Sequence, residues 1–202
     1  MLIIISGFAG SGKSSLADSL GKKLGLKVIH ASAILKEMKE KGEKALEKTQ
    51  VKKVKDWWES EEAKEFMKQR HENPELDIML DKKLMEIAEK GNVVLDSWTM
   101  PYLYKGNAYK IWLEAKPETR AKRVSERDNL NYDETFDKIK ARDIDTKRLY
   151  ERLYKFKMGE DLSVFNLVLK TDSLNQEQVL ESALKGIMEW CYGKDKNRNK
   201  RL

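Results

Sequence analysis

Cysteine, histidine and proline are all scarce in this sequence. Its 202 residues include one cysteine, three prolines and two histidines. The single Cys191 excludes an internal disulfide and a metal site built from several thiolates. The histidines, His30 and His71, have no partners at the spacing of metal ligands. We therefore expect both histidines to pack without binding a metal.

Long apolar runs are also missing. No stretch approaches the roughly 20 apolar residues that a membrane-spanning helix needs. The opening run, Leu2–Ile5, is shorter than the apolar region of a signal peptide and leads straight into a glycine-rich loop. We expect a soluble cytoplasmic protein without membrane contact, and the low cysteine content fits a reducing compartment.

Charge, by contrast, is plentiful. Charged residues make up 37% of the chain, and the formal net charge is +6. A basic balance suits an anionic substrate, although it could equally indicate weak affinity for nucleic acid. Much of the excess lies in the last ten residues, which we interpret as a flexible basic tail (residues 193–202). Residues 1–192 are long enough for one domain and too short for two full ones.

The most informative stretch is Gly7–Ser14, which has the pattern G-x-x-x-x-G-K-S. It follows a short β-branched run and precedes a helical pattern with a leucine every four residues. In that context it is a phosphate-binding loop, or P-loop, because backbone N–H groups and a helix N-terminus favour bound phosphate. A plain glycine turn would not explain Lys13, which can neutralise phosphate charge, and the Ser14 hydroxyl can hold Mg²⁺. We assign ATP phosphate binding to Gly7, Gly10, Ser11, Gly12, Lys13, Ser14 and Ser15.

Alternating strands and helices place this loop in an α/β protein. Five strands are predicted, at Leu2–Ile5, Val28–Ile29, Asn92–Asp96, Lys110–Leu113 and Val164–Leu169. Because helical patterns separate them, the sheet should be parallel with helices on both faces, which is the three-layer fold of P-loop NTPases. The core of this single domain would comprise residues 1–30, 91–117 and 164–192.

Two insertions interrupt the predicted core. Residues 31–90 are nearly all helical in pattern, and residues 118–163 carry several arginines. Phosphoryl transfer needs one segment that positions an acceptor and another that closes over the donor phosphates and excludes water. We assign the first insertion to the acceptor and the second to an arginine-rich lid, since guanidinium groups hold phosphate oxygens bidentately. For any single arginine, a solvated face paired with nearby carboxylates explains the pattern equally well.

Two further features allow more than one interpretation. Asp96 ends the third predicted strand, at the sheet edge where ligands bind in open α/β sheets, so it can order Mg²⁺ through water or orient the acceptor. The alternative is an ordinary cap or turn carboxylate. Trp57 and Trp58 could stack on a base, but such a pair more often packs one helix against its neighbours.

Over nearly its whole length the chain resembles the archaeal-type cytidylate kinases, which are nucleoside monophosphate kinases. Besides the P-loop, the matching pieces are Asn73–Asp77 with Asp81, Gly91–Leu95, Lys110–Leu113, Arg120–Arg127 and Asp161–Leu169. Many NTPases share the P-loop, whereas the other pieces are more discriminating together. The resemblance implies a monomer that transfers the ATP γ-phosphoryl group directly to CMP or dCMP, with Mg²⁺ and without a covalent enzyme intermediate.

The resemblance also implies roles for individual residues. Arg123 would lie beside the adenine, and Arg127 and Arg142 beside the transferred phosphoryl group. Together with Lys13, and with Asp96 from its place at the end of a strand, these two arginines form the catalytic set that we predict. We predict Ser14 and Asp96 as the metal ligands. The acceptor would be bound by Lys36, Asp77, Asp81, Asp96 and Trp98.

On the acceptor side the chain departs from the family. Leu35–Lys36 stands in place of Phe-Arg, Lys83–Leu84 in place of Arg-Gln, and Asp96–Trp98 in place of Glu-Gly-Arg. Replacing a guanidinium fork by a lysine or a tryptophan is not conservative. These changes favour an alternative, a P-loop kinase for another small acceptor. A nucleotide-dependent RNA-binding protein is a further alternative, although no RNA-binding motif supports it.

Overall fold

The computed structural model describes residues 1–41 and 61–198, in which strands and helices alternate. The strands are β1 (Leu2–Ser6), β2 (Lys27–His30), β3 (Val93–Asp96), β4 (Tyr109–Glu114) and β5 (Leu167–Lys170). The helices are α1 (Lys13–Leu24), α2 (Ala31–Lys41), α3 (Glu61–Glu72), α4 (Glu75–Lys90), α5 (Met100–Leu103), α6 (Pro117–Asp128), α7 (Tyr132–Tyr154) and α8 (Gln176–Arg198). None of these helices is long and apolar enough to cross a membrane. The predictions for Trp57 and Trp58 lie outside the described residues.

The described strands form one parallel sheet in the order β2–β3–β1–β4–β5. The central strand, β1, pairs with β3 on one side and β4 on the other. In this register Asp96 lies between Ile5 of β1 and His30 of β2. Because all strands run the same way, their carboxyl ends share one edge, and the P-loop leaves β1 at that edge. The predicted parallel α/β sheet is confirmed.

Alternation along β1 builds a core on both faces of the sheet. Ile3 and Ile5 pack in one cluster with buried residues of α1 and α8. Leu2 and Ile4 point to the opposite face, where they meet residues of α2 and α4. Burying a side chain of this size contributes about 1.5–3 kcal/mol, so both faces hold β1 in place. The helix–sheet–helix layering confirms the predicted P-loop NTPase architecture.

The segment predicted to form the lid consists mainly of α6 and α7, which are joined by a tight turn; we keep the name lid for these two helices. Asn129 takes the left-handed conformation that ends α6, with φ +55°, a conformation that asparagine tolerates well. The Asn131 side chain then caps α7 by accepting a hydrogen bond from the Glu134 N–H (3.1 Å). These two asparagines therefore set the geometry of the helical hairpin.

The strand predicted over Val164–Leu169 begins later than expected. β5 starts at Leu167, because the chain before it turns, with the Phe165 N–H donating to the Leu162 carbonyl (3.1 Å). Val164 and Phe165 pack in an aromatic cluster at the end of the lid. The apolar run thus combines a partly buried turn with a shorter strand.

Part of the predicted tail is helical. The last helix, α8, continues to Arg198, so it includes residues 193–198. The flexibility of residues 193–202 stays a prediction.

Candidate active site

The P-loop, residues 7–14, ends at the N-terminus of α1, and two of its glycines are required by geometry. Gly10 has φ +78°, and a Cβ there would lie 2.9 Å from the Arg120 carbonyl oxygen. Gly12 has φ +94° and is the left-handed residue from which α1 begins. The Ser11 hydroxyl is buried and has no hydrogen-bond partner in the described part of the chain. An anion-binding helix end beside an unsatisfied buried hydroxyl fits nucleotide phosphates.

Lys13 is the first residue of α1, followed in the same helical turn by the half-buried Ser14 and Ser15. The Lys13 Nζ donates to the Phe8 carbonyl oxygen (3.2 Å). Burial lowers the pKa of Lys13 from 10.5 to about 8; Asp96 opposes that change, and Arg142 adds to it. The ammonium is therefore charged at neutral pH but poorly solvated, so a phosphate would be a better partner than one carbonyl.

Ser14 and Asp96 lie together at the edge of the sheet. The Ser14 hydroxyl donates to Asp96 Oδ2 (2.7 Å). Burial on its own would raise the pKa of the Asp96 carboxyl, but the hydrogen bond with His30 and the charge of Lys13 lower it overall. A hydroxyl and an ionised carboxylate are oxygen donors of the kind that Mg²⁺ prefers.

Ser14 and Asp96 would supply only some of the ligands that a metal ion needs. Across residues 1–41 and 61–198, no group of three or more His, Cys, Asp or Glu side chains is arranged as a metal site. Mg²⁺ usually keeps several waters and takes further oxygens from substrate phosphates. Ser14 and Asp96 therefore fit Mg²⁺ held jointly with a nucleotide.

His30 belongs to this site, although sequence analysis assigned it no role. Its Nδ1 lies 3.0 Å from Asp96 Oδ2, and its Nε2 lies 2.9 Å from Asp18 Oδ1. Burial would lower the pKa of His30, but these two carboxylates raise it overall. The strand register is the signal that could have located it, because the last residues of β2 and β3 are neighbours.

Arg120 connects the P-loop to the lid. Its guanidinium donates to the carbonyl oxygens of Ala9 and Ala115, both at 3.0 Å. It also donates to both carboxylate oxygens of Asp143 in α7, at 3.1 and 2.5 Å. The side chain is 2% exposed. Sequence analysis matched Arg120 to the family without giving it a role; the structure shows that it fixes the P-loop relative to α7.

The two other α6 arginines occupy different surroundings. Arg123 donates to the hydroxyl (3.0 Å) and the carbonyl of Thr171, just after β5. Arg127 binds the adjacent Asp128, and its side chain is 55% exposed. A contact between Arg127 and a transferred phosphoryl group would therefore require this side chain to leave Asp128.

Trp98 stands between the P-loop and the lid. Its Nε1 donates to the Gly7 carbonyl oxygen (2.9 Å). The centre of its ring is 5.6 Å from Lys13 Nζ and 5.2 Å from the Arg142 guanidinium carbon, and Tyr150 packs against it edge-on. Such cation–π contacts are each worth about 0.5–2 kcal/mol. Lys13 and Arg142 therefore both lie against the Trp98 ring. A bound phosphate would compete with the ring for both cations.

Asp77, predicted to bind the acceptor, is held in a buried ion pair with Arg70 of α3. The Arg70 Nε and Nη2 donate to the two Asp77 oxygens at 2.8 and 2.5 Å, and both side chains are 2% exposed. Nη2 also donates to the Tyr150 hydroxyl in α7 (3.2 Å). This cluster ties α3 and α4 of the acceptor insertion to the lid.

Asp81 lies one turn further along α4 and is also buried. The Thr99 hydroxyl donates to one of its oxygens and the Tyr154 hydroxyl to the other, both at 2.6 Å. Burial raises the pKa of Asp81 from 3.8 to about 6, and the two hydroxyl hydrogen bonds only partly offset this increase. Asp81 thus joins α4 to the loop after β3 and to the end of α7.

Asp81 should give the folded protein a pH-dependent stability. A carboxyl whose pKa is higher in the folded state adds stability below pH 4 that is lost as the pH rises through about 6. Relative to an Asp81→Asn variant, the wild type should therefore lose about 2–3 kcal/mol of unfolding free energy between pH 4 and pH 7. Urea denaturation across this range measures the difference, with the exposed Asp137→Asn as control. Parallel curves for wild type and Asp81→Asn would contradict the prediction.

The substituted acceptor-side positions have different environments. Lys36 is half-buried in α2. Lys83 lies on the surface of α4, 3.2 Å from Glu86, whereas Leu84 is 1% exposed in the core. Leu84 faces the core and therefore cannot read a nucleobase.

The parallel sheet, the P-loop and the helical lid define an α/β protein of the P-loop nucleotide-binding class. Within that class, the chain belongs to the cytidylate kinase-like family, which it matches over residues 2–173. It is 33% identical to the cytidylate kinase of Pyrococcus horikoshii over 180 residues, 89% of this chain and 84% of the relative. It is 30% identical to the cytidylate kinase of Pyrococcus abyssi over 194 residues, 96% of this chain and 97% of the relative.

Solved structures show the same fold. A shikimate kinase from Bacteroides thetaiotaomicron superposes with a TM-score of 0.56 and 18% identity, covering 95% of this chain and 98% of that one. At 18% identity the similarity shows only a shared architecture. The acceptor has to be inferred from the site.

Proposed function

We propose that this protein is a nucleoside monophosphate kinase that transfers the γ-phosphoryl group of ATP to CMP or dCMP. The observation that carries the proposal is the convergence of Lys13, Ser14 and Asp96 at one end of the P-loop, with Arg142 of the lid reaching the same place through Trp98. Family membership supports the choice of a cytidine nucleotide. We further propose that it acts as a cytoplasmic monomer.

The transfer is a direct displacement at phosphorus. An oxygen of the acceptor phosphate bonds to the γ-phosphorus while the bond to the β–γ bridging oxygen breaks, so ADP and CDP leave without a covalent enzyme intermediate. Lys13 and the loop N–H groups hold the donor phosphates, and Arg142 and Arg127 offset charge on the transferred group. Catalysis then depends on positioning and charge stabilisation.

Other residues prepare the site for this step. Mg²⁺, held by Ser14 and Asp96, would supply further neutralisation of the phosphate charge. The family resemblance implies that Arg123 lies beside the adenine, and its guanidinium donates to Thr171 in the loop after β5. Trp98 and Tyr150 cover the P-loop with aromatic surface, which excludes the water that would otherwise hydrolyse ATP.

A panel of acceptors tests the proposal. ADP release from ATP, coupled to NADH oxidation, should depend on added CMP or dCMP, with kcat/KM at least about tenfold higher than for AMP, GMP or UMP. Lys13→Ala protein serves as the inactive control. The absence of acceptor-dependent turnover with every nucleoside monophosphate would refute the proposal.

A kinase for another small acceptor remains the second candidate, because of specific features of the acceptor side. Arg70 is engaged by Asp77, Lys83 faces the surface, and an indole stands at Trp98. These residues leave less cationic surface for an acceptor phosphate than the family pattern would. Turnover with a phosphate-free hydroxyl compound, together with none on nucleoside monophosphates, would favour this candidate.

A further inference from the structure

A continuous chain of hydrogen bonds runs from the predicted metal site to the protein surface. Asp96 Oδ2 accepts from the Ser14 hydroxyl at 2.7 Å and lies 3.0 Å from His30 Nδ1. On the other side of the imidazole, Nε2 lies 2.9 Å from Asp18 Oδ1. Asp18 is half-exposed, whereas Asp96 is 5% exposed. The imidazole thus bridges an exposed carboxylate and a buried one.

Each member of this chain is held by a regular element. Ser14 and Asp18 are one turn apart on α1, so they lie on the same face of the helix. His30 and Asp96 are paired in the register of β2 and β3. The bridge therefore follows from the packing of α1 over the ends of two strands. All four residues lie in helices or strands and none lies in a loop.

Both ring nitrogens of His30 face carboxylate oxygens, which are acceptors. Each nitrogen is within hydrogen-bond distance of one of these oxygens, so the ring cannot turn without losing a contact at one end. Because both of its nitrogens are engaged by carboxylates, His30 contacts Asp96 without being placed as a metal ligand itself.

We propose that His30 is a positioning residue for the Mg²⁺–nucleotide complex, because it fixes the carboxylate of Asp96 against Ser14. Held by His30, Asp96 keeps the rotamer that faces the P-loop. The inference rests on the donor site of the proposed function, and it adds a requirement that is specific to the metal. Ligand-orienting partners of this kind typically change metal affinity or activity by 10–100-fold when removed.

Two amide substitutions test the contacts of the two ring nitrogens of His30 separately. In His30→Asn the side-chain nitrogen can take the place of Nδ1 and still donate to Asp96. In His30→Gln the nitrogen can take the place of Nε2, so contact with Asp18 is kept and contact with Asp96 is lost. Asp18→Asn removes the outer charge without touching the buried carboxylate.

Isothermal titration calorimetry of ADP binding, with Mg²⁺ and with EDTA, is the test. We expect His30→Gln to weaken the Mg²⁺-dependent gain in ADP affinity about tenfold, and His30→Asn to stay within about threefold of the wild type. ADP affinity in EDTA should be unchanged in both. Asp18→Asn, expected to have a small effect in the same direction, remains informative if a His30 variant does not fold.

Two results would overturn the inference. If His30→Gln and His30→Asn bind Mg²⁺–ADP equally well, Asp96 does not need the imidazole. If affinity falls equally in EDTA, His30 supports the fold of the P-loop and not the metal site. These outcomes are distinct from failure of the proposed function, in which wild-type protein binds Mg²⁺–ADP normally but phosphorylates no nucleoside monophosphate.

Discussion

Lys13→Ala should nearly abolish phosphoryl transfer while leaving the fold intact, with kcat reduced about a hundredfold to a thousandfold. The reason is that Lys13 supplies the cation at the P-loop, and removing one preorganised partner of a developing charge typically costs 10²–10³ in rate. The native pKa of about 8 shows that the ammonium is poorly solvated in the absence of phosphate, so its charge is available to a ligand. Steady-state ADP release with saturating ATP and acceptor measures the loss.

The matched control is Lys22→Ala, an exposed lysine in the last turn of the same helix. It should keep wild-type activity. Thermal unfolding should show Lys13→Ala to be at least as stable as the wild type, because the substitution removes a charge that burial disfavours. Because the native pKa of Lys13 is lowered, wild-type stability should rise relative to the variant between pH 8 and pH 10.5. Retained activity in Lys13→Ala would refute the donor-site assignment.

Arg70→Met should destabilise the fold by about 3–5 kcal/mol, because it leaves the Asp77 carboxylate buried without its partner. Both side chains are 2% exposed, so water cannot easily replace the guanidinium. Urea denaturation at pH 7 measures the loss in unfolding free energy. Lys83→Met removes a lysine from a surface pair with Glu86, and should cost less than about 1 kcal/mol.

The double variant Arg70→Met/Asp77→Leu separates stability from acceptor binding. Because the Arg70–Asp77 ion pair is then removed as a whole, the double variant should recover much of the stability lost in Arg70→Met. If Asp77 also contacts the acceptor, the stable double variant will still show a raised KM for the acceptor. A double variant no more stable than Arg70→Met would mean that the buried charge is not the source of the loss.

The donor side could be predicted from the sequence because its signals are local. The P-loop pattern spans eight consecutive residues, and the strands that flank it are continuous apolar runs. Asp96 was also placed correctly at the sheet edge, since parallel strands bring their carboxyl ends together. These features depend on neighbours in sequence or on one general rule of topology.

Contacts between distant elements could not be predicted in the same way. Arg70 reaches Asp77 within the acceptor insertion and Tyr150 in the lid. Arg120 joins Ala9 to Asp143. In the sequence each arginine has many possible counterparts, and only the packing of α3, α4, α6 and α7 selects among them.

Leu84 could not be placed from the family comparison alone. There it was one of the substituted positions, Lys83–Leu84 in place of Arg-Gln. The structure places it in the core. A side chain packed between a helix and a sheet cannot also face a ligand.

The position of β1 at the centre of the sheet has a consequence for synthesis on the ribosome. β1 is made before both of its partners, because β3 and β4 begin at Val93 and Tyr109. At about 5–20 residues per second, the apolar segment Leu2–Ile5 must wait several seconds before either neighbour exists. During that interval it is an unpaired, aggregation-prone strand, so the nascent chain should depend on chaperones that shield this segment until β3 and β4 have been made.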